Sequence, residues 1–194
     1  MITAAFWQKR AVLSHSETQI IKAMEKTNLN DGLMAQMIEE EAWKNLSGNY
    51  PWNESLLEKY KDKLDWEEVS SNRYIEWTVS MIEKYKNRIN WKVLSCTSQK
   101  SLLIPEIVER FKDRWDWHEL SENSDLPIET IRKMADRIDW KALIERRYTD
   151  DIFGMAFLKE FEDWIPASAF KDSNLWNKIV AEKEEQLHAE IALG

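Results

Sequence analysis

The sequence has few of the residues that break or cross-link a chain: four glycines, four prolines and one cysteine among 194 residues. Sandwiches and barrels need many tight turns, so this scarcity argues against an all-β fold. The same scarcity argues against a disordered chain, and hydrophobic residues make up 43% of the chain, enough for a sizeable core. Cys96 has no second cysteine with which to form an internal disulfide, as is typical of proteins in reducing compartments.

Long apolar runs are missing as well. Nowhere do about 18 apolar residues follow one another, so we expect no membrane-spanning helix. Residues 1–10 lack the charged region followed by a long apolar block that a secretory signal requires. Together with the single cysteine, these features predict a cytoplasmic protein.

Positive charge is scarce towards the C-terminal end. Residues 150–194 hold ten acidic and four basic residues, a net charge of −6 out of −8 for the whole chain. Nucleic-acid phosphates attract basic surfaces, so this balance disfavours direct binding to DNA or RNA and suits a basic partner. An acidic helix face that simply keeps the protein soluble is the alternative explanation.

Tryptophan, by contrast, is abundant, with eleven in the chain. Six of them follow one another at intervals of 23 to 26 residues. An internal period of this length is typical of repeat proteins. The six are Trp43, Trp66, Trp91, Trp117, Trp140 and Trp164.

The residues around these tryptophans repeat too. An Asp or Asn, a favourable helix N-cap, precedes five of the six, and a serine follows four positions later in five. Large apolar residues nine and six positions before the tryptophan share one helix face. Each unit is therefore predicted to be a helix–turn–helix of about 24 residues. The capping residues are Asp65, Asn90, Asp116, Asp139 and Asp163. The serines are Ser47, Ser70, Ser95, Ser121 and Ser168.

One such unit cannot bury its apolar face alone, whereas stacked units can. The sequence predicts an all-α fold, a short α-solenoid of about six helix–turn–helix repeats with helical caps at both ends. The repeats are expected over residues 29–170. Residues 1–28 are expected to form an N-terminal helical cap, and residues 171–194 an acidic C-terminal helix.

The segments DWEEVSSN, NWKVLSCT and DWHELSEN carry a family resemblance. The chain resembles Trp-containing "DWxxLSxN" helical-repeat proteins of bacteria, phages and giant viruses, whose biochemistry is uncharacterised, over roughly residues 29–170. The resemblance implies a repeat architecture and no catalytic residues. It also implies a phage or mobile-element origin, and with it the hypothesis of an inhibitor of a host defence nuclease of the CRISPR type.

Catalytic and metal-binding motifs are absent from the sequence. The histidines His15, His118 and His188 lie far apart, and none has a Cys or His at metal-ligand spacing. Cys96 has no histidine near it in sequence that could activate it. We therefore expect a non-enzymatic protein without cofactors, and an unrecognised hydrolase is the remaining enzymatic alternative.

Basic residues recur at one place in several units and form a predicted Lys/Arg stripe. Stacked units could align these residues, and some repeat proteins read RNA with such a geometry. The acidic residues beside each group favour a second interpretation, structural ion pairing between neighbouring units. An RNA-binding repeat protein is thus an alternative function. The stripe is Lys59, Lys61, Lys63, Lys84, Lys86, Arg88, Arg110, Lys112 and Arg114.

Departures from the repeat are the best guide to a partner site. Residues 144–151 break the pattern and contain residue types favoured in binding hot spots. A degenerate late repeat is the alternative there, and capping of the core is the alternative for the out-of-frame Trp176. The predicted partner is another protein, with a basic surface or within a protein–RNA complex, and no membrane or small-molecule substrate is expected. The predicted contact residues are Arg146, Arg147, Tyr148, Trp176, Glu182, Glu184 and Glu185.

Overall fold

The structure, a computed structural model, describes residues 31–147 and 152–193. These residues form twelve α-helices and no strand, so the fold is all-α as predicted. In this part of the chain no helix is long and apolar enough to cross a membrane. The helices are α1 Asp31–Asn49, α2 Glu54–Tyr60, α3 Trp66–Ser71, α4 Val79–Tyr85, α5 Trp91–Ser95, α6 Pro105–Arg110, α7 Trp117–Glu122, α8 Ile128–Lys133, α9 Trp140–Glu145, α10 Met155–Phe161, α11 Ala167–Phe170 and α12 Asn174–Leu193, with a 3₁₀ helix at Lys100–Leu102.

The chain divides into two compact units, Met1–Trp43 and Lys44–Gly194. The described part of the first unit is the beginning of α1. The predicted N-terminal cap, residues 1–28, lies outside the described residues. All further contacts described below lie within the second unit.

Within Lys44–Gly194, a first helix, a short turn and a second helix recur, and each such pair of helices is one repeat unit. The first helices are α2, α4, α6, α8 and α10, and each is followed by its second helix, α3, α5, α7, α9 or α11. The second helices pack in chain order, α3 on α5, α5 on α7, α7 on α9 and α9 on α11. The first helix α6 packs on α8, and the terminal helix α12 packs on α9. Successive helix pairs therefore contact one another, as a helical repeat requires.

The predicted Asp and Asn caps start the second helices. The Asp65 carboxylate accepts hydrogen bonds from the Glu67 and Glu68 amides, and the Asp116 carboxylate does the same at the start of α7. Asn90 accepts from the Val93 amide at 3.3 Å. These side chains satisfy amides that have no partner inside the helix, so the N-cap prediction is confirmed for these units.

The repeated tryptophan ties the two helices of its unit together. Its indole Nε1 donates to the carbonyl oxygen five residues earlier, at the end of the first helix, where carbonyl groups lack a helical donor. Four units share this bond, at distances of 2.8 to 2.9 Å. The donor and acceptor pairs are Trp66 with Lys61, Trp91 with Lys86, Trp117 with Lys112, and Trp140 with Ala135.

The predicted apolar positions form the core. The residues nine before and three after the tryptophan are fully buried in four successive units. Trp52 and Trp77 are buried where later units have leucine, and Trp115 is buried in a place that Leu64 and Ile89 fill elsewhere. The fully buried residues are Leu57, Val69, Ile82, Leu94, Val108, Leu120, Ile131 and Leu143.

Buried serines join each unit to the next. The Ser70 hydroxyl donates to the Trp66 carbonyl oxygen at 2.6 Å and accepts from the Asn90 amide of the next unit at 2.9 Å. Ser47, Ser95 and Ser121 accept in the same way from the next cap residue. One hydroxyl therefore satisfies a polar group on each side of the boundary between units.

The serine series stops at Ile144, which takes the place of serine in α9. The residue that would donate to it, directly before α11, is Pro166. Proline has no amide hydrogen, so it needs no acceptor at this place. The two replacements are matched: the loss of the hydroxyl leaves no buried donor unsatisfied.

The frame of the last repeat differs from the predicted one. The Trp164 and Ile165 amides donate to the Phe161 carbonyl oxygen, as the Arg88 and Ile89 amides donate to Tyr85 in an earlier unit. Trp164 therefore takes the place of Arg88, and Ala167 begins the second helix where other units have tryptophan. The prediction that Trp164 continues the series, with Asp163 as its N-cap and Ser168 as its serine, is wrong, because the second helix of this unit begins three residues later than the tryptophan spacing predicted.

The first predicted repeat, around Trp43, also departs from the prediction. A single 19-residue helix, α1, runs through Trp43 without a turn. Ala42 precedes this tryptophan, and alanine has no oxygen to cap a second helix and a high helix propensity. Leu46, whose counterparts are fully buried, is accordingly 43% exposed.

Candidate partner-binding surface

Arg146, a predicted contact residue, lies inside the fold. It is 4% exposed, donates from Nη1 to the Asn123 carbonyl oxygen at 2.9 Å, and holds its guanidinium 5.2 Å from the centre of the Phe153 ring. Its place in the unit is that of Asn72 and Asn123, whose side chains also bind carbonyl groups of the preceding unit. The predicted partner contact does not fit this position, because Arg146 would have to leave a buried site to make it.

Two further predicted contact residues, Arg147 and Tyr148, follow Arg146. Arg147 is exposed at a bend after α9. Tyr148 lies outside the described residues. Partner contacts by these two residues stay predictions.

Trp176 is half-buried near the start of α12. Its amide donates to Ser173 Oγ at 3.1 Å, which caps the helix. Its ring meets Phe170 edge to face, with the ring centres 5.4 Å apart. Trp176 therefore anchors α12 to α11, and its exposed part is available for contact.

Glu182 stabilises a neighbouring helix. Its Oε2 accepts from the Met155 amide at 3.2 Å, at the start of α10, which has no side-chain cap of its own. A Cβ on Gly154 would lie 2.5 Å from Glu182 Oε1, so only glycine leaves room for this carboxylate. A negative charge is favourable at a helix N-terminus. Glu182 thus has a structural role, and its substitution is a poor test of partner binding.

Glu184 and Glu185 lie where α12 leaves the rest of the fold. Leu175 and Ile179, in the first half of the helix, are buried. Every residue from 183 to 193 is exposed. The two glutamates predicted as contacts are therefore accessible, on a helix segment that the described part of the chain does not cover.

An apolar stripe runs along this exposed segment. With about 100° between successive residues, Val180, Leu187 and Ile191 fall within an arc of about 40°. Ile191 is 77% exposed, and the other two are also counted among the exposed apolar residues. Leu193 is exposed as well but lies on another side of the helix. Sequence reasoning identified the acidic residues here but not the stripe. In the sequence, the apolar residues of the two halves of α12 look like one continuous core-facing side.

Most residues of the Lys/Arg stripe form ion pairs. Lys84 Nζ lies 3.2 Å from Glu58 in the preceding unit, and Arg88 lies 2.7 Å from Asp62. Hydrogen bonds from Lys61 and Lys84 lower the pKa of Glu58 to about 2. The pairs of Lys84, Arg88 and Arg110 join neighbouring units, as the alternative to RNA binding predicted, whereas those of Lys61, Lys86 and Lys112 lie within one unit. The stripe residues within 4.0 Å of a carboxylate are Lys61, Lys84, Lys86, Arg88, Arg110 and Lys112.

A shallow groove between α2 and α4 is lined by Glu54, Ser55, Glu58, Lys59 and Lys84. Glu58 is a poor proton donor near neutral pH, because its low pKa keeps it ionised and paired. In the described residues, no three His, Cys, Asp or Glu side chains lie close enough to hold a metal ion.

Comparison with protein-family models, curated proteins and solved structures finds no match to the chain. The functional proposals therefore rest on its own residues and contacts and, for the identity of the partner, on the sequence resemblance described above.

Proposed function

We propose that the protein is a non-enzymatic, protein-binding helical-repeat protein whose partner docks on the exposed half of α12. The observation that carries this proposal is the apolar stripe of Val180, Leu187 and Ile191, the last two of which lie on the segment 183–193, where every residue is exposed. Isolated helices of this length are marginal in water, because helix stability in proteins comes mainly from packing of an apolar face. A docked partner would supply that packing.

The charges on α12 indicate the chemistry of the partner. Residues 180–193 contain four glutamates and one lysine, a net charge of −3. Glu184 and Glu190 flank the stripe on its two sides. A second copy of the chain would bring two such acidic helices together, which like-charge repulsion disfavours. The occupant is therefore a basic amphipathic helix of another protein, with apolar residues at helical spacing and Lys or Arg beside them.

The test uses the full chain and two matched variants. Leu187→Ser with Ile191→Ser removes two of the three stripe residues, whereas Leu193→Ser removes an exposed apolar residue from another side of the helix. A protein captured from a lysate by the wild-type chain is purified, and its Kd is measured against all three. We expect the stripe variant to bind at least about tenfold more weakly and Leu193→Ser to bind within about twofold of wild type.

A further variant, Glu184→Lys with Glu185→Lys, tests the role of charge. Both residues are exposed, and within the described part of the chain neither makes a structural contact like that of Glu182 with the Met155 amide. Binding should weaken, and the wild-type affinity should fall with added salt. Equal affinity of the wild type and the stripe variant, with unchanged circular dichroism, would contradict the proposal.

A finer proposal concerns the partner's identity. An acidic, exposed helix suits the basic groove of a nucleic-acid-binding protein. Together with the resemblance to phage and bacterial repeats, this supports a phage-encoded inhibitor of a defence nuclease. The check is a cleavage assay of such a nuclease with and without the protein. Inhibition by the wild type that is lost in the stripe variant is the expected result, and no inhibition at saturating concentration contradicts it.

A further inference from the structure

One place in the repeat changes from arginine to tryptophan. It lies three residues before the start of each second helix, and we call it the arginine position. Arg88, Arg114 and Arg137 hold it in three successive units. In the last unit, whose second helix begins at Ala167, Trp164 holds this position.

Arg88 binds both an aromatic ring and an acid of the preceding unit, whereas Arg114 donates to the Asn87 side chain there. The Arg88 guanidinium lies 5.8 Å from the centre of the Trp66 ring, and its Nη2 lies 2.7 Å from Asp62 Oδ1. Arg137 reaches the equivalent carboxylate, Asp113, at 3.5 Å. The chain itself thus shows that a guanidinium fits between a tryptophan ring and an aspartate in this geometry.

Trp164 replaces the cation with a second ring. It stacks on Trp140 of the preceding unit, with ring centres 6.1 Å apart and planes at 22°, and is 47% exposed. The aspartate that an arginine here would meet is Asp136, and the equivalent residue of the last unit is Asp163. Both are exposed, and within the described residues neither makes a hydrogen bond or an ion pair.

We propose that Trp164 binds an arginine side chain of a partner protein, together with Asp136 and Asp163, which hold the places of the acids that Arg88 and Arg137 reach in earlier units. The guanidinium stacks on the exposed indole and pairs with a carboxylate, as Arg88 does with Trp66 and Asp62 of the same chain. Arginine is favoured over lysine because a planar guanidinium stacks on an aromatic ring and keeps its hydrogen bonds in that plane. The carboxylates repel phosphates, so a stacked nucleobase of RNA is the less favoured ligand.

This site rests on the proposed protein-binding function for its natural partner but is separate from the stripe on α12. Loss of the stripe through Leu187→Ser with Ile191→Ser should leave arginine binding at Trp164 unchanged. Failure of either proposal can therefore be recognised without the other.

The experiment is a titration followed by the indole N–H signals in a proton–nitrogen NMR spectrum. The probe is a six-residue peptide of alternating arginine and glycine, and the controls are the same peptide with citrulline or lysine in place of arginine. Citrulline keeps the planar group and removes the charge. Trp164→Arg identifies the Trp164 signal by its absence and restores the arginine position, so this variant should fold and pair with Asp136.

We expect the Trp164 signal to shift saturably with the arginine peptide and to report binding about tenfold weaker for citrulline and lysine. Trp164→Arg should abolish the binding, and Asp136→Asn should weaken it. Three results would overturn the proposal: no saturable shift up to about 20 mM peptide, equal shifts of all indole signals, or a shift produced by hexauridylate rather than by the arginine peptide.

Discussion

At the scale of single residues, buried serine hydroxyls form hydrogen bonds on both sides of the boundary between neighbouring units. Ser70, Ser95 and Ser121 each donate to the tryptophan carbonyl of their own helix and accept from the next cap residue. A buried polar group without a partner costs more free energy than a hydrogen bond contributes. The matched pair of Ile144 and Pro166 follows the same rule, because the acceptor and the donor are lost together.

Ser95→Ala tests this link. The substitution leaves the part-buried Asp116 amide without its acceptor, so we expect a loss of about 1–3 kcal/mol in the free energy of unfolding. Ser71→Ala is the matched control, since Ser71 is an exposed serine that bonds only within its own helix. Urea denaturation measures both. A loss for Ser95→Ala no larger than for Ser71→Ala would show that the hydroxyl does not link the units.

Cys96 offers a second test at this scale. Partial burial and a hydrogen bond to Glu119, at 3.4 Å, raise the pKa of its thiol from 9.0 to about 11. Alkylation by iodoacetamide should therefore be slow at pH 8 and rise with an apparent pKa near 11, since the thiolate is the reactive form. The folded-state pKa is the raised one, so this group favours the fold below pH 9 and loses that contribution as the pH rises through 11.

Glu119→Gln is the informative variant for Cys96. It removes the acceptor carboxylate but not the burial, so the apparent pKa should fall only part of the way towards its ordinary value. The urea-unfolded chain gives that ordinary value. An alkylation profile of the native protein identical to that of the unfolded chain would contradict the assignment.

At the scale of helices, sequence and structure agree where the signal is local. Asp65 and Asp116 were predicted as N-caps because capping depends on a side chain and the next few amides, which sequence shows directly. The two ends of the series were not predictable from spacing alone. Trp43 kept the period but followed Ala42, which cannot cap, and a period counted in tryptophans hid the three extra residues before Ala167.

Other signals could have identified the frame of the last unit. Pro166 directly before α11 is a helix-start signal, and Phe161 has the aromatic character of Tyr85 and Phe111 at its place in the unit. The role of Glu182 could not be read from sequence, because it depends on contact with Gly154 across 28 residues. The acidic residues of the candidate site were predicted, whereas the stripe and Trp164 required knowledge of which surfaces stay exposed.

At the scale of the whole molecule, the structure separates the residues that hold the fold from those proposed to bind. The repeats use their serines, N-caps and most of their stripe cations in contacts between or within units. The exposed half of α12 uses none of its residues from 183 to 193 in this way, as all of them are exposed. Removal of residues 183–194 should therefore abolish binding to the partner and leave the fold almost as stable as before.

The stability of the truncated chain is measured as its thermal midpoint. This midpoint should change by less than about 3 °C, because no buried group is lost and Glu182 still caps α10. The matched variant is the full-length chain with Leu175→Ala and Ile179→Ala, which keeps the exposed segment and empties the buried face of α12. Cavities of this kind cost about 2–5 kcal/mol per side chain, so its midpoint should fall by several degrees. If the truncation lowered the midpoint as much as the double substitution, the exposed segment would have to pack on the protein itself, and the proposal that it awaits a partner would be wrong.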